Sequence, residues 1–219
     1  MNEMVETEQR KASRSRLDSL DRKRDLIDAT ISVLAEKGYG SFTLAEVAAH
    51  AGVSASLIIL HFQSKEKLLG EVMSHMGRDY FGMLHASQIG QPDGAVHRLW
   101  RLVDAEFSAG YLTPRHLLAW RTFWTEMNGR RDYLAMCAEQ TKHFTQLTQA
   151  LCEEILKDGD YPGHRAWVVA RLIDTALGGI WIDLTHGPTS LSIPEARHLA
   201  RGLLVMFFPR HFSFDGPLM

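Results

Sequence analysis

Apolar residues recur at the helical interval from Asp21 to Lys37, where Ile27, Ile31, Leu34 and Ala35 share one side and Gly38 closes the segment. From Thr43 to Phe62 the pattern predicts two short helices in quick succession. Thr43 caps the first, whose Leu44, Val47 and Ala48 form one buried stripe. Ala51-Gly52-Val53 makes the turn, with Gly52 suited to φ > 0, and Ser54 caps the second helix, whose Leu57 and Ile58 pack back on the first. Ser64 then opens a long connecting helix, Lys65 to about Ser87. Three helices with short connections make a small head with a helix-turn-helix layout.

The same period continues to the C-terminus. Segments at 95–109, 114–127, 130–157, 164–185 and 193–208 read as helices, separated by breaks at 88–94, 128–129, 158–163 and 186–188. Thr113-Pro114 is a cap followed by proline at the first helical position, and Ser192 with Glu195 forms a capping box. No alternating strand pattern of useful length appears. The prediction is an all-α chain of nine helices: a basic disordered arm at 1–20, a head at 21–70 and a helical body at 71–219.

The last two helices are apolar around more than the single stripe that one core needs, which points to a four-helix interface between two copies. Burial of both helices inside a monomer is the alternative. A two-fold dimer also suits a head whose lone recognition helix covers few base pairs.

The net charge of −2 rules out a generic polyanion binder, but its distribution is uneven. Residues 10 to 24 carry seven Arg or Lys against Asp18 and Asp21. Ahead of a DNA-binding head, such a run neutralises phosphates or reaches into a minor groove; otherwise it is a solvated tail. Cys137 and Cys152 lie on one predicted helix, about 22 Å apart at 1.5 Å per residue, too far to bridge. With no signal sequence and no apolar run near ~20 residues, a reducing cytoplasm is the expected compartment. No metal-binding His pair around an acid, Cys-x-x-Cys, Gly-x-Ser-x-Gly or phosphate loop occurs, so no cofactor and no enzyme activity are expected.

The ordered set Gly38-Tyr39, Phe42-Thr43-Leu44, Val47-Ala48, Ala51-Gly52-Val53-Ser54 and His61-Phe62-Gln63-Ser64-Lys65-Glu66-Lys67-Leu68 resembles the DNA-binding head of the TetR family of bacterial transcriptional regulators. The resemblance implies a homodimeric repressor that leaves a pseudo-palindromic operator when a small molecule binds. It also implies phosphate contacts at Thr43, Ser54, His61 and Lys65. The residues facing the groove would then be Ala55, Ser56, Ile59 and Leu60, and at the last three this chain departs from the family. Ser56 stands where glycine is frequent, Ile59 where tyrosine is common, and Leu60 replaces a polar or aromatic residue. Apolar side chains read mainly thymine methyl groups, so modest direct readout is expected, with phosphates and DNA shape carrying much of the affinity. The rival reading is a dimeric small-molecule-binding protein without sequence-specific DNA binding.

In the body, Trp120 and Trp124 are i, i+4 neighbours with Phe123 beside them. With Trp100, Phe107, Tyr111 and Trp181 they are candidates for an aromatic pocket, and Glu106, Glu126 or Asp174 for its counter-charge. Plain core packing is the competing reading. Ala119-Trp120, Phe123-Trp124, Tyr133 and Gly179-Ile180-Trp181 resemble the choline-responsive BetI-type repressors of the same family. That resemblance implies choline or a related quaternary amine as effector. Gly178 stands where the subgroup tends to have aspartate, with Asp174 one turn earlier on the same face. An anionic metabolite held by Arg121 or by an arginine of the eighth helix is the alternative effector.

Overall fold

Helical periodicity closes into nine helices and one short hairpin among the described residues. The computed structural model describes the backbone of residues 2–38, 40–90, 94–108, 110–126, 131–185 and 191–218, and their side chains except at 2–18, 123–126, 131–134, 136 and 137. The helices are α1 (Asn2–Lys37), α2 (Leu44–Ala51), α3 (Ala55–Phe62), α4 (Lys65–Ala86), α5 (Ala95–Glu106), α6 (Pro114–Glu126), α7 (Arg131–Gly159), α8 (Ala166–Thr185) and α9 (Ile193–Phe207). The hairpin pairs β1 (Phe212–Ser213) antiparallel with β2 (Gly216–Pro217).

The arm expected to be irregular over 1–20 is instead, from Asn2 onward, the opening of α1. Residues 2–37 contain no glycine or proline and are rich in Glu, Gln, Lys, Arg and Ala, all strong helix formers, so nothing local starts the helix as late as Asp21.

Two compact units divide between His75 and Met76. In the first, α1 packs on α2 and α2 on α3. Its core includes Leu26, Ile31, Leu34, Phe42, Val47 and Ile58, all but closed to solvent. Burying a side chain of the size of Ile58 contributes about 1.5–3 kcal/mol, enough to fix the short α3, which is too short to persist alone. The unit reaches into α4 beyond residue 70 because Val72 and Met73 are also buried.

In the second unit, α7 packs along α8, α5 against α7 and α9, and α8 against α9 and α6. The C-terminal hairpin covers α5 and the end of α9. Phe212 stacks on Trp100 at 6.1 Å, and Arg201 lies over the same indole at 5.0 Å. Asp104 takes hydrogen bonds from both Arg197 and Arg201, which overcome the upward push of burial and hold its carboxyl below the usual range. α7 runs two residues into the expected loop at 158–163 because Arg210 Nη1 donates to the Gly159 carbonyl at 2.6 Å. A Cβ on Gly159 would collide with the rings of Tyr161 and His211, so any larger residue there must displace them.

Candidate functional site

The chain axis turns through 108° between α2 and α3, inside the range of DNA-binding helix-turn-helix pairs. Gly52 ends α2 at φ 66, ψ 33, and its N–H reaches the Ala48 and Ala49 carbonyls. That left-handed conformation is cheap only without a Cβ. Thr43 Oγ1 accepts from the Glu46 N–H, while Glu46 Oε2 accepts from the Thr43 N–H at 2.8 Å, completing a capping box. Lys37 binds the same carboxylate at 2.6 Å, and this bond, with those from Thr43, keeps the Glu46 carboxyl low. Ser54 Oγ accepts from the Leu57 N–H and lies 2.8 Å from Ser56 Oγ.

Local spacing thus decides what α3 presents outward. Ile58 and Phe62 are buried, whereas Ile59 is 51% and Leu60 76% exposed, beside exposed Ser54 and Ser56. Ala55 and His61 are half-buried at the margin of this face, and Thr43 is exposed at the start of α2. Lys65 turns inward: its ammonium donates to the Phe42 carbonyl at 2.8 Å and sits 4.2 Å from the Phe42 ring centroid. Its side chain ties α4 to the loop before α2, a role that the helical pattern did not reveal because the partners are 23 residues apart.

The second unit encloses a cavity of about 420 Å³. Trp181 of α8 forms the centre of one wall, edge-on to Tyr80 at 5.6 Å and to Trp120 at 6.5 Å. Glu106 reaches the cavity from α5. Its Oε2 accepts hydrogen bonds from the Tyr80 hydroxyl and from Trp181 Nε1, the latter at 3.1 Å. Its Oε1 has no hydrogen-bond partner among the described residues. Asp174 also lines the cavity, its Oδ2 accepting from Thr145 Oγ1 at 2.8 Å.

Burial raises both carboxyls above the ordinary range. For Glu106 the bonds from Tyr80 and Trp181 offset only part of that rise, and the nearby Asp174 adds to it. For Asp174 the Thr145 bond and the Arg171 charge pull back partially. Burial and the adjoining Glu106 likewise push the Tyr80 phenol well upward, so it donates to the carboxylate as a neutral hydroxyl.

Of the candidates for the pocket, the structure brings together Trp120, Asp174 and Trp181, with Glu106 as a counter-charge. Phe107 and Tyr111 stand one layer behind the wall. Phe107 is fully buried 6.2 Å from Trp181, and the Tyr111 hydroxyl accepts from Trp120 Nε1 at 3.0 Å while donating to the Met76 carbonyl. Trp100 is a correction: it lies under the C-terminal hairpin against Phe212, because α5 turns it away from the face that carries Glu106. The side chains of Phe123, Trp124, Glu126 and Tyr133 lie outside the described residues.

Sequence reading missed Tyr80, Phe81 and Leu84 of α4 and Phe144 of α7, which complete the apolar walls. Phe81 and Phe144 stack at 5.9 Å. The adjacent aromatics at 80–81 followed by Leu84 were the available signal, one turn of apolar surface on a helix read only as a connector.

Comparison with known proteins places these two sites in context. The family model described as bacterial regulatory proteins, tetR family, matches residues 26–72. An HTH-type transcriptional regulator BetI of Burkholderia thailandensis is 30% identical over 181 residues, 76% of this chain and 84% of that protein. A crystal structure of a transcriptional regulator from Pseudomonas aeruginosa PAO1 superposes with a TM-score of 0.70 at 25% identity, covering 89% of this chain and 94% of the other. Another, from Saccharomonospora viridis in complex with choline, has a TM-score of 0.68 at 20% identity over 84% of this chain and 95% of that one.

Proposed function

Because the chain belongs to the TetR family of bacterial regulatory proteins and is a DNA-binding transcriptional regulator rather than an enzyme, we propose that it is a homodimeric repressor of a pseudo-palindromic operator, released by a small organic cation of the choline type. The observation that carries the effector reading is Glu106: a half-buried carboxylate, one oxygen of which takes no hydrogen bond from the described residues, facing a cavity walled by Tyr80, Trp120 and Trp181. A quaternary ammonium has no N–H to donate, so it is held by aromatic faces and by an anion at its periphery. Here the aromatic rings and the charge converge on one space, and Glu106 supplies the charge that Gly178 does not. The choline carried by the Saccharomonospora viridis regulator in its crystal structure supports the same chemistry.

The operator contacts come from α3, with Thr43, Ser54, Ser56, Ile59, Leu60 and His61 on or beside the presented face. Helix N-termini at Thr43 and Ser54 meet phosphates, as does the backbone at the start of α4, and basic residues before Asp25 add further neutralisation. The arm at 1–20, head at 21–70 and body at 71–219 are the working parts, with α4 shared: its residues up to His75 belong to the head unit, and Tyr80, Phe81 and Leu84 line the cavity. A cation seated on Glu106 repositions Tyr80 and, through the continuous helix, the head.

Dimerisation falls to α8 and α9. Leu172, Ile182, Leu199 and Met206 are large apolar residues between 44% and 64% exposed, and Gly179 is exposed among them. Leu172 and Gly179 are seven residues apart, as are Leu199 and Met206, so each helix offers one apolar line to a partner.

The test is a titration of upstream promoter DNA, with and without choline, across salt concentrations. The reading expects binding whose log K falls linearly with log salt, weakened by choline. Calorimetry then shows choline affinity reduced by operator by the same factor. A flat salt dependence overturns the phosphate account. Absence of heat with both choline and betaine aldehyde overturns the cation reading.

A further inference from the structure

The cavity has two chemically different ends, and choline fills only one. Its volume of about 420 Å³ lies in the range of drug-sized ligand sites, roughly 300–1,000 Å³, and leaves most of the space free around a trimethylammonium group with a short hydroxylated tail. The cation end, at Trp181, is deep. Trp181 and Trp120 are buried, and Glu106 is enclosed between the Tyr80 hydroxyl and the Trp181 indole.

The other end lies ten residues back along α8. At 1.5 Å per residue, Arg171 is about 15 Å from Trp181 along the helix axis. Among the lining residues, Thr141, Arg171 and Thr175 are exposed in the single chain, so they mark the mouth, which opens at the edge of the α8 face proposed above to meet the partner. Arg171 forms no ion pair within 4 Å among the described residues. Asp174, its neighbour on the same helix face, accepts a hydrogen bond from the Thr145 hydroxyl at Oδ2 instead. Thr175 follows Arg171 by one turn and presents a hydroxyl to the same rim. A guanidinium with a hydroxyl beside it at the mouth is a set of donors for an oxyanion. Phe81, Leu84 and Phe144 supply apolar lining to the same space.

From this arrangement we infer that the effector is two-ended: a bulky organic ammonium seated against Glu106, joined by an apolar chain long enough to span the cavity to a carboxylate or phosphate that pairs with Arg171. This inference rests on the reading of the inner end as a cation site. It adds the charge of the ligand's other end and the direction of entry, ammonium first. Asp174 opposes an anion near the mouth, but its carboxyl is raised by burial and engaged by Thr145, which leaves the guanidinium the stronger pole.

The test is calorimetry on the full chain with three probe sets: choline, ω-trimethylammonio-alkanoates of increasing length, and alkyltrimethylammonium ions of matching length. At the best length the zwitterion binds about tenfold more tightly than its partner with an uncharged tail, the increment of a charge-assisted pair. Arg171→Gln removes that ratio, and Arg171→Lys keeps part of it. The ratio is the readout, so a general loss of affinity in a variant does not imitate the result. If choline binds but the zwitterions gain nothing at any length, or if the gain survives Arg171→Gln, the two-ended ligand is wrong and the cation site stands. If no trimethylammonium compound binds, the cation site is wrong and this inference falls with it.

Discussion

The two sites handle charge in opposite ways. At α3, nearby polar groups are engaged locally, by Thr43 with Glu46 and Ser54 with the start of the helix, and the surface left outward, proposed to meet DNA, is apolar at Ile59 and Leu60. In the cavity the walls are apolar, and the charge is carried inward and left partly unmatched at Glu106. An exposed helix in water holds apolar side chains at little cost, so its chemistry is set by its neighbours in sequence. A buried carboxylate is costly unless something pairs with it. A carboxylate drawn into an apolar cavity, as at Glu106, therefore points to a cationic ligand, whereas exposed Leu60 alone points to none.

The largest expected effect breaks the body and spares the head. Trp181 touches Tyr80, Phe107, Trp120 and Glu106, and Trp181→Ala opens a void among them. A loss of about 3–5 kcal/mol is expected by chemical denaturation, with the choline response abolished. A loss below 1 kcal/mol would mean that the wall is loosely packed.

Glu106→Gln sharpens the contrast without a void. The amide oxygen still accepts from Tyr80 and Trp181, but the charge is gone. Choline affinity falls by about 1.5–3 kcal/mol in calorimetry, the range of a hydrogen bond or contact to a charged group. The pH dependence has a definite sign. The folded Glu106 carboxyl titrates above its unfolded value, so its contribution to stability is full below the ordinary carboxylate range and is lost as pH rises through the raised value. A bound cation favours the ionised form. The choline-induced rise in Tm therefore grows with pH across that same window, with proton release on binding, and both effects vanish in Glu106→Gln. A constant ligand shift across the window would remove Glu106 as the counter-charge.

The difference in legibility follows from the same contrast. The head's caps, turn and buried stripe join residues within about one helical turn, so Thr43, Gly52, Ser54 and Ile58 were readable in order along the chain. The inward turn of Lys65 was not, because its acceptor is the Phe42 carbonyl in another element. The cavity gathers side chains from α4 to α8, up to 101 positions apart between Tyr80 and Trp181. Helical spacing placed Trp120, Asp174 and Trp181 on faces but could not select which faces meet. Trp100 has the same composition and spacing signal as Trp120, and only the hairpin that stacks on it distinguishes the two. The backbone of the first 20 residues was misread for a different reason: high net charge suggested disorder, while the absence of any helix breaker favours continuation of α1.

A smaller effect tests the head alone. Thr43→Ala removes a cap that satisfies the Glu46 N–H and anchors the other half of the box. The expected loss is about 1 kcal/mol in the thermal unfolding of the head. Operator affinity drops with it, and choline affinity in the absence of DNA stays the same. A matching fall in choline affinity would show that the body senses the cap directly.

The smallest effect concerns Leu60, and it separates fold from readout. At 76% exposure the side chain adds little to the folded state, so Leu60→Ala changes stability by no more than about 0.5 kcal/mol. On DNA the same side chain has few ways to read sequence, since it neither donates nor accepts hydrogen bonds. What it can meet in the major groove is the thymine methyl. Replacing thymine by deoxyuridine, one half-site position at a time, removes that methyl and leaves base pairing intact. The wild-type chain is expected to weaken at one or two positions, by up to about 1 kcal/mol each, roughly the value of one buried methyl group. Leu60→Ala or Ile59→Ala makes the corresponding position insensitive. If deoxyuridine has no effect at any position while the operator still outcompetes random DNA, the apolar face of α3 does not read methyl groups. Sequence preference then comes from DNA shape and from the serines that flank that face.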